Sequence, residues 1–88
     1  MKENEIFQEI VTIVGEFVKD PAILENVKPE MNIIKDLKVN SARLVDIIIR
    51  AEDAFGIAID DEDADAIKTI GDAVRVVMAK LEGAEVRA

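Results

Sequence analysis

The sequence predicts an all-α fold: a small four-helix bundle with a short third helix and a long loop between helices one and two. Three observations point to it. Apolar residues recur at i, i+3, i+4 and i+7 in separate stretches, as on one face of a helix. No stretch alternates apolar and polar side chains as a half-buried strand would. Residues 20–40 keep no sustained period and are interrupted by Pro21 and Pro29.

Ile6, Ile10, Ile13, Val14 and Phe17 define the face of helix one, which Phe7, Val11 and Val18 widen. Asn4 can cap its start and Asp20-Pro21 marks its end, giving helix one about residues 4–19. The following connection is long for so small a domain. Such loops are usually functional or carry a short helical turn. Its Ile23, Leu24, Val27, Met31, Ile33, Ile34 and Leu37 suit packing across the bundle.

From Ser41 the helical period returns, with Leu44, Ile47, Ile48, Ala51 and Phe55 facing the core. Asn40 suits the N-cap and Gly56 the left-handed position after the last turn. Val45 and Ile49 fall on another side, beside Asp46, Glu52 and Asp53. Periodicity alone favours reading them as a wider buried face or as ordinary exposed aliphatics. A docking stripe with an acidic rim is the sharper alternative. Ile57 and Ile59 anchor a short loop, and Asp60 or Asp61 caps a brief helix three through about Ile67. Its acidic first turn suits the positive end of a helix dipole. Thr69 and Asp72 form a capping-box-like Thr-x-x-Asp, and Ile70, Ala73, Val74, Val77 and Leu81 give the face of helix four. Gly83 follows that helix, and Glu82–Ala88 should fray. The chain reads as one domain over residues 1–88, with its core at about 3–81.

Composition excludes much chemistry. The 88 residues carry 11 Lys+Arg against 19 Asp+Glu, a formal net charge of −8, and contain no Cys, His, Trp or Tyr. Disulfide scaffolds, Cys/His zinc sites and His- or Cys-based catalytic groups are therefore out. Such acidity fits nucleic acid poorly and basic partner surfaces well. No uncharged run approaches the roughly 18 residues of a membrane span. The acidic start is no signal peptide, so the cytoplasm is the expected compartment.

Asp61-x-Asp63-x-Asp65 has the spacing that opens a calcium loop, but Ala66 stands where the turn needs Gly and Asp72 where a bidentate Glu is preferred. No metal site is expected. Nothing localises a catalytic carboxylate pair or a Gly-rich phosphate loop, so no intrinsic catalysis is expected. Ser41 heads helix two directly after the long loop. By position it is a capping serine; alternatively it is an attachment point, with a phosphodiester beside the free N–H groups and positive dipole end of that helix.

Asp36-Leu37-Lys38-Val39-Asn40-Ser41-Ala42 resembles the phosphopantetheine attachment motif of acyl carrier proteins, Asp-Leu-Gly-x-Asp-Ser-Leu. The likeness continues without a gap. Val45 and Asp46 fit the Val-Glu that follows, and Phe55-Gly56-Ile57-Ala58-Ile59 fits Phe-Gly-Ile-x-Ile. Asp61-Glu62-Asp63-Ala64-Asp65 and Ile67-Lys68-Thr69-Ile70-Gly71-Asp72-Ala73-Val74 fit the family's helices three and four.

The resemblance implies that Ser41 carries 4′-phosphopantetheine, transferred from coenzyme A by a separate phosphopantetheinyl transferase. Acyl chains would ride on its thiol as thioesters, in fatty acid or specialised lipid biosynthesis. The acyl chain can fold back between the helices, and Ile47, Ile48, Ala51, Phe55, Ile67 and Val74 are candidates to line its path. Helix two would meet partners through Asn40, Ala42, Val45, Asp46, Ile49, Glu52 and Asp53. Those partners are acyl-transferring, condensing or acyl-activating enzymes with basic surfaces, and the carrier is expected as a monomer. Alternatives are a carrier of aminoacyl or polyketide intermediates, or an unmodified helical interaction module.

Four positions depart from the family pattern. Asn40 replaces the acid before the serine, and Ala42 replaces Leu, removing two to three CH₂ equivalents worth ~0.8 kcal/mol each when buried. Arg43 and Lys38 add cations. The chain therefore reads as a specialised member, recognised weakly by a general transferase.

Overall fold

The computed structural model describes the backbone of residues 2–87 and the side chains of residues 2–82. Helix α1 spans Glu3–Gly15, shorter than the 4–19 its period suggests. Lys2, not Asn4, is the N-cap, and its backbone N–H donates to Glu5 Oε1 at 3.0 Å. At the other end the Glu16 N–H donates to the Ile13 carbonyl (3.1 Å) and the Phe17 N–H to that of Val14 (2.9 Å). These i→i+3 bonds tighten and close the last turn. Phe17 and Val18 continue the apolar pattern as half-buried residues beyond the helix.

The connection does carry a helical turn, a 3₁₀ segment over Pro21–Asn26. Asp20 Oδ1 caps it by accepting the Ala22 N–H at 3.0 Å. The next stretch crosses the bundle and is pinned to the start of α4. The Ile33 N–H donates to the Lys68 carbonyl (3.0 Å), Ile70 to Met31 (3.1 Å) and Gly71 to Pro29 (2.8 Å). A Cβ on Gly71 would lie 3.1 Å from the Pro29 carbonyl oxygen, so this close backbone approach favours glycine. Asn32 Oδ1 then accepts the N–H groups of Ile34 and Lys35, turning the chain so that Ile33, Leu37 and Val39 enter the core.

A 3₁₀ turn at Ser41–Arg43 leads into α2, Leu44–Phe55, which ends at Gly56 in the left-handed region (φ 64°). Helix α3 spans Asp61–Ala66, capped by Asp60 Oδ1 on the Asp63 N–H at 2.9 Å. The expected Thr69–Asp72 box is reciprocal: the Thr69 N–H donates to Asp72 Oδ2 and the Asp72 N–H to Thr69 Oγ1, both at 3.0 Å. Helix α4 runs Ile70–Arg87, past Gly83, where the sequence reading ended it. A lone Gly inside a helix costs about 1 kcal/mol relative to Ala without stopping it. Of the tail expected to fray, Ala88 and the side chains from residue 83 onward lie outside the described residues.

The core joins Ile6, Ile10, Ile13 and Val14 of α1 to Ile33, Leu37 and Val39 of the loop. Ile47 and Ala51 of α2, Ile67, and Ile70, Ala73, Val74 and Val77 of α4 complete it. Leu44, Ile48 and Phe55 of the predicted α2 face are half-buried. Among the described residues no polar or charged side chain is buried and the only β pairing is the isolated bridge Asn32–Thr69. No described helix is long and apolar enough to cross a membrane.

Candidate functional site

Ser41 is exposed at the first position of the 3₁₀ turn that opens α2. Asn40 is its cap, as the sequence implies, but it does more than one job. Its Oδ1 accepts the Ala42 N–H at 2.9 Å and its carbonyl accepts the Arg43 N–H at 2.8 Å. The Leu44 N–H in turn donates to the Ser41 carbonyl. The free N–H groups expected beside the serine are therefore already engaged at Ala42, Arg43 and Leu44. A phosphodiester on Ser41 would meet the helix dipole and nearby cations rather than an open amide cradle.

Two features of those cations were not legible from their identities alone. Lys38 has φ 59°, in the left-handed region. The attachment motif has Gly here, and glycine is the residue that takes this conformation without cost. Arg43 reaches forward one helical turn, its Nη1 lying 3.1 Å from Asp46 Oδ2. The i, i+3 spacing could have disclosed that pair. Asp46, one of the acids the resemblance puts on the partner-facing side, remains 44% exposed while paired with Arg43.

The leftover stripe is exposed, with Val45 at 58% and Ile49 at 55%. Of the two forms of the favoured reading, the wider buried face is overturned and exposed aliphatics stand, because the period that buries Ile47 and Ala51 turns these two outward. Ala42 and Asp53 are exposed as well. Glu52 is half-buried, and its Oε2 accepts the Ile59 N–H at 2.7 Å, so it also holds the loop after α2. Arg50 ties α2 to α1 through Glu16 (Nη2 to Oε2, 2.8 Å), and this hydrogen bond holds the Glu16 carboxyl below its ordinary range.

Behind α2 lies an apolar cavity of about 20 Å³, roughly one water's worth. Ile47, Ile48, Ala51 and Ile67 line it, as anticipated; Ile10, Ile13, Ile33, Ile59, Ala73 and Val77 complete it, while Phe55 and Val74 do not take part. The acids of the α3 segment have other roles. Asp60 caps the helix, and Asp63 Oδ2 lies 2.6 Å from Lys80 Nζ on α4. Among the described residues no group of three or more metal-ligating side chains is placed to hold an ion.

Residues 8–77 match the family described as phosphopantetheine attachment site. The chain is 39% identical over 79 residues to the acyl carrier protein of Lactobacillus acidophilus, spanning 88% of this chain and 94% of that one. It is 35% identical over 77 residues to the meromycolate extension acyl carrier protein of Mycolicibacterium aurum, spanning 85% and 78%. The solved acyl carrier protein from Enterococcus faecalis superposes with a TM-score of 0.74 at 30% identity, covering 91% of this chain and 99% of that one. With the four helices and the serine-headed α2 in place, the chain belongs to the acyl carrier proteins, the phosphopantetheine-bearing carriers of acyl intermediates in fatty acid and lipid biosynthesis.

Proposed function

We propose that Ser41 is the attachment point of 4′-phosphopantetheine and that the chain itself catalyses nothing. The observation that carries this is the exposed hydroxyl at the head of α2, within the Asp36–Ala42 motif and flanked by cations that suit a phosphodiester. When bound, the group supplies the thiol that a chain without Cys lacks. Asn40 orders the turn that presents the hydroxyl; Ala42, Val45 and Ile49 offer apolar contact; Asp53 and the outer edge of Glu52 offer charge. The phosphopantetheinyl transferase and the acyl-handling enzymes would meet this one face in turn. The whole chain acts as one monomeric cytoplasmic carrier domain.

The apolar cavity suits an acyl chain as guest. At about 20 Å³ it is a seed rather than a room, so the helices must part to admit more than a methylene or two. Nuclear Overhauser contacts from a bound acyl chain to Ile47 and Ile67 are the expected sign; a chain wholly in solvent would count against it.

Incubation with coenzyme A and a phosphopantetheinyl transferase, followed by intact-mass measurement, tests the attachment. Wild type gains one phosphopantetheine increment and Ser41→Ala gains none. No increment with any transferase would favour an unmodified interaction module instead.

A further inference from the structure

Ser41 lies near the end of a segment whose charge opposes that of the chain. Residues 27–43 hold four cations, Lys28, Lys35, Lys38 and Arg43, against two acids, Glu30 and Asp36, although the whole chain carries −8. One of those acids is committed: Asp36 Oδ2 accepts the Asn32 N–H at 2.7 Å. Beyond the serine, Arg43 engages Asp46 and remains 63% exposed. The exposed face of α2 is therefore two-signed. Lys38 and Arg43, the latter paired with Asp46, stand at the Ser41 end, Val45 and Ile49 in the middle, and Asp53 at the far end.

Lys38 adds an independent observation. A side chain other than glycine in the left-handed region costs about 1–2 kcal/mol. Glycine at this φ of 59° would remove that cost. Backbone strain kept three residues from Ser41 points to a use for the side chain that carries it.

We propose that Lys38 and Arg43 are specificity-determining residues, docking this carrier on a partner enzyme that has carboxylates beside its serine-receiving pocket. The same partner offers an apolar notch to Val45 and Ile49 and a cation to Asp53. The inference rests on Ser41 as the attachment point. A uniformly basic docking face would gain at Asp53 but set its own cations against Lys38 and Arg43. Like charges brought together at an interface reject that partner, chiefly by slowing encounter. At Asp46 such a face would have to share the carboxylate with Arg43.

The transferase encoded in the same genome, with coenzyme A as donor, is the test partner, and intact mass follows the transfer. Arg43→Glu and Lys38→Glu each raise KM for the carrier by about fivefold with little change in kcat, and Arg43→Lys stays near wild type. Lys38→Gly separates charge from strain: its Tm rises, yet its KM still rises. Thermal melts confirm that each variant is folded. Unchanged or lowered KM in both charge reversals overturns the inference. So does loading of wild type by a broad-specificity transferase but not by the same-genome enzyme. Loading by neither strikes instead at Ser41 as the attachment point.

Discussion

Helix α1 and the segment that carries α3 both border the interior cavity, α1 through Ile10 and Ile13 and the α3 segment through the flanking Ile59 and Ile67, but they are held there by different physics. Helix α1 buries four aliphatic side chains, Ile6, Ile10, Ile13 and Val14, each no more than 3% exposed. Helix α3 buries none. It is fixed by the Asp60 cap, by the Asp63–Lys80 pair and by Ile59 and Ile67 at its two ends, which line the cavity in its place. One wall is thus anchored by apolar burial along a whole helix and the other by its two flanking isoleucines and polar contacts. The second is the wall that can yield without unfolding the first, since local opening draws on regions with few buried apolar contacts.

The largest break in that comparison is on the α1 side. Ile6→Ala removes a side chain that is 1% exposed and leaves a cavity in a tightly packed face. A loss of about 3 kcal/mol is expected, read as a lower urea midpoint. A domain this small has only about 5–10 kcal/mol in total, so the variant is near the edge of folding. A loss under about 1 kcal/mol would mean that α1 is no anchor.

A middling effect is expected at Asp72, which joins α3 to α4. Burial pushes its carboxyl up, but the N–H groups of Thr69 and Lys68, the Thr69 hydroxyl and the Arg75 guanidinium outweigh that and hold it below the ordinary aspartate value. The folded state therefore binds the proton less readily than the unfolded one. Its contribution is present above the unfolded pKa, about 3.9, and is lost as the pH falls through the lower folded value. Asp72→Ala should cost about 1 kcal/mol at neutral pH, as a lost cap does. The gap from wild type should close below about pH 4. Chemical unfolding at several pH values checks both parts; a gap that persists unchanged in acid would remove the carboxylate from the account.

What the sequence disclosed divides along the same line. The caps at Asn40 and Asp60, the Thr69–Asp72 box and the left-handed Gly56 all act within four residues of their partners, and each was readable from local chemistry. The end of α1 was not. The chain leaves the helix at Gly15, where a Cβ would lie 2.9 Å from Leu24 Cδ1, and that contact comes from the loop. Val39 was missed as a core residue because a single apolar residue between Lys38 and Asn40 has no period to reveal it. At the proposed site, the resemblance pointed to Ser41 and its neighbours. It could not show that Arg43 occupies Asp46, or that Glu52 spends an oxygen on Ile59. Nor could it show that Lys38 takes a glycine's conformation.

The smallest effect should come from the α3 side, where Asp63 lies 2.6 Å from a lysine 17 positions away on α4. The hydrogen bond from Lys80 holds the Asp63 carboxyl below its ordinary range, against a weaker opposing effect of burial. The pair is only partly exposed, but solvent still screens it and two side chains must be ordered, so it adds little to global stability. Asp63→Ala should therefore barely move the urea midpoint. It should still speed amide exchange across residues 61–66, because it removes a tie between α3 and α4 that no buried side chain of α3 duplicates. Exchange in α1 should stay as in wild type. If Asp63→Ala lowers the midpoint as far as Ile6→Ala does, α3 is part of the cooperative core and the two walls are alike. If it speeds exchange in α3 alone, the cavity has one fixed wall and one that opens.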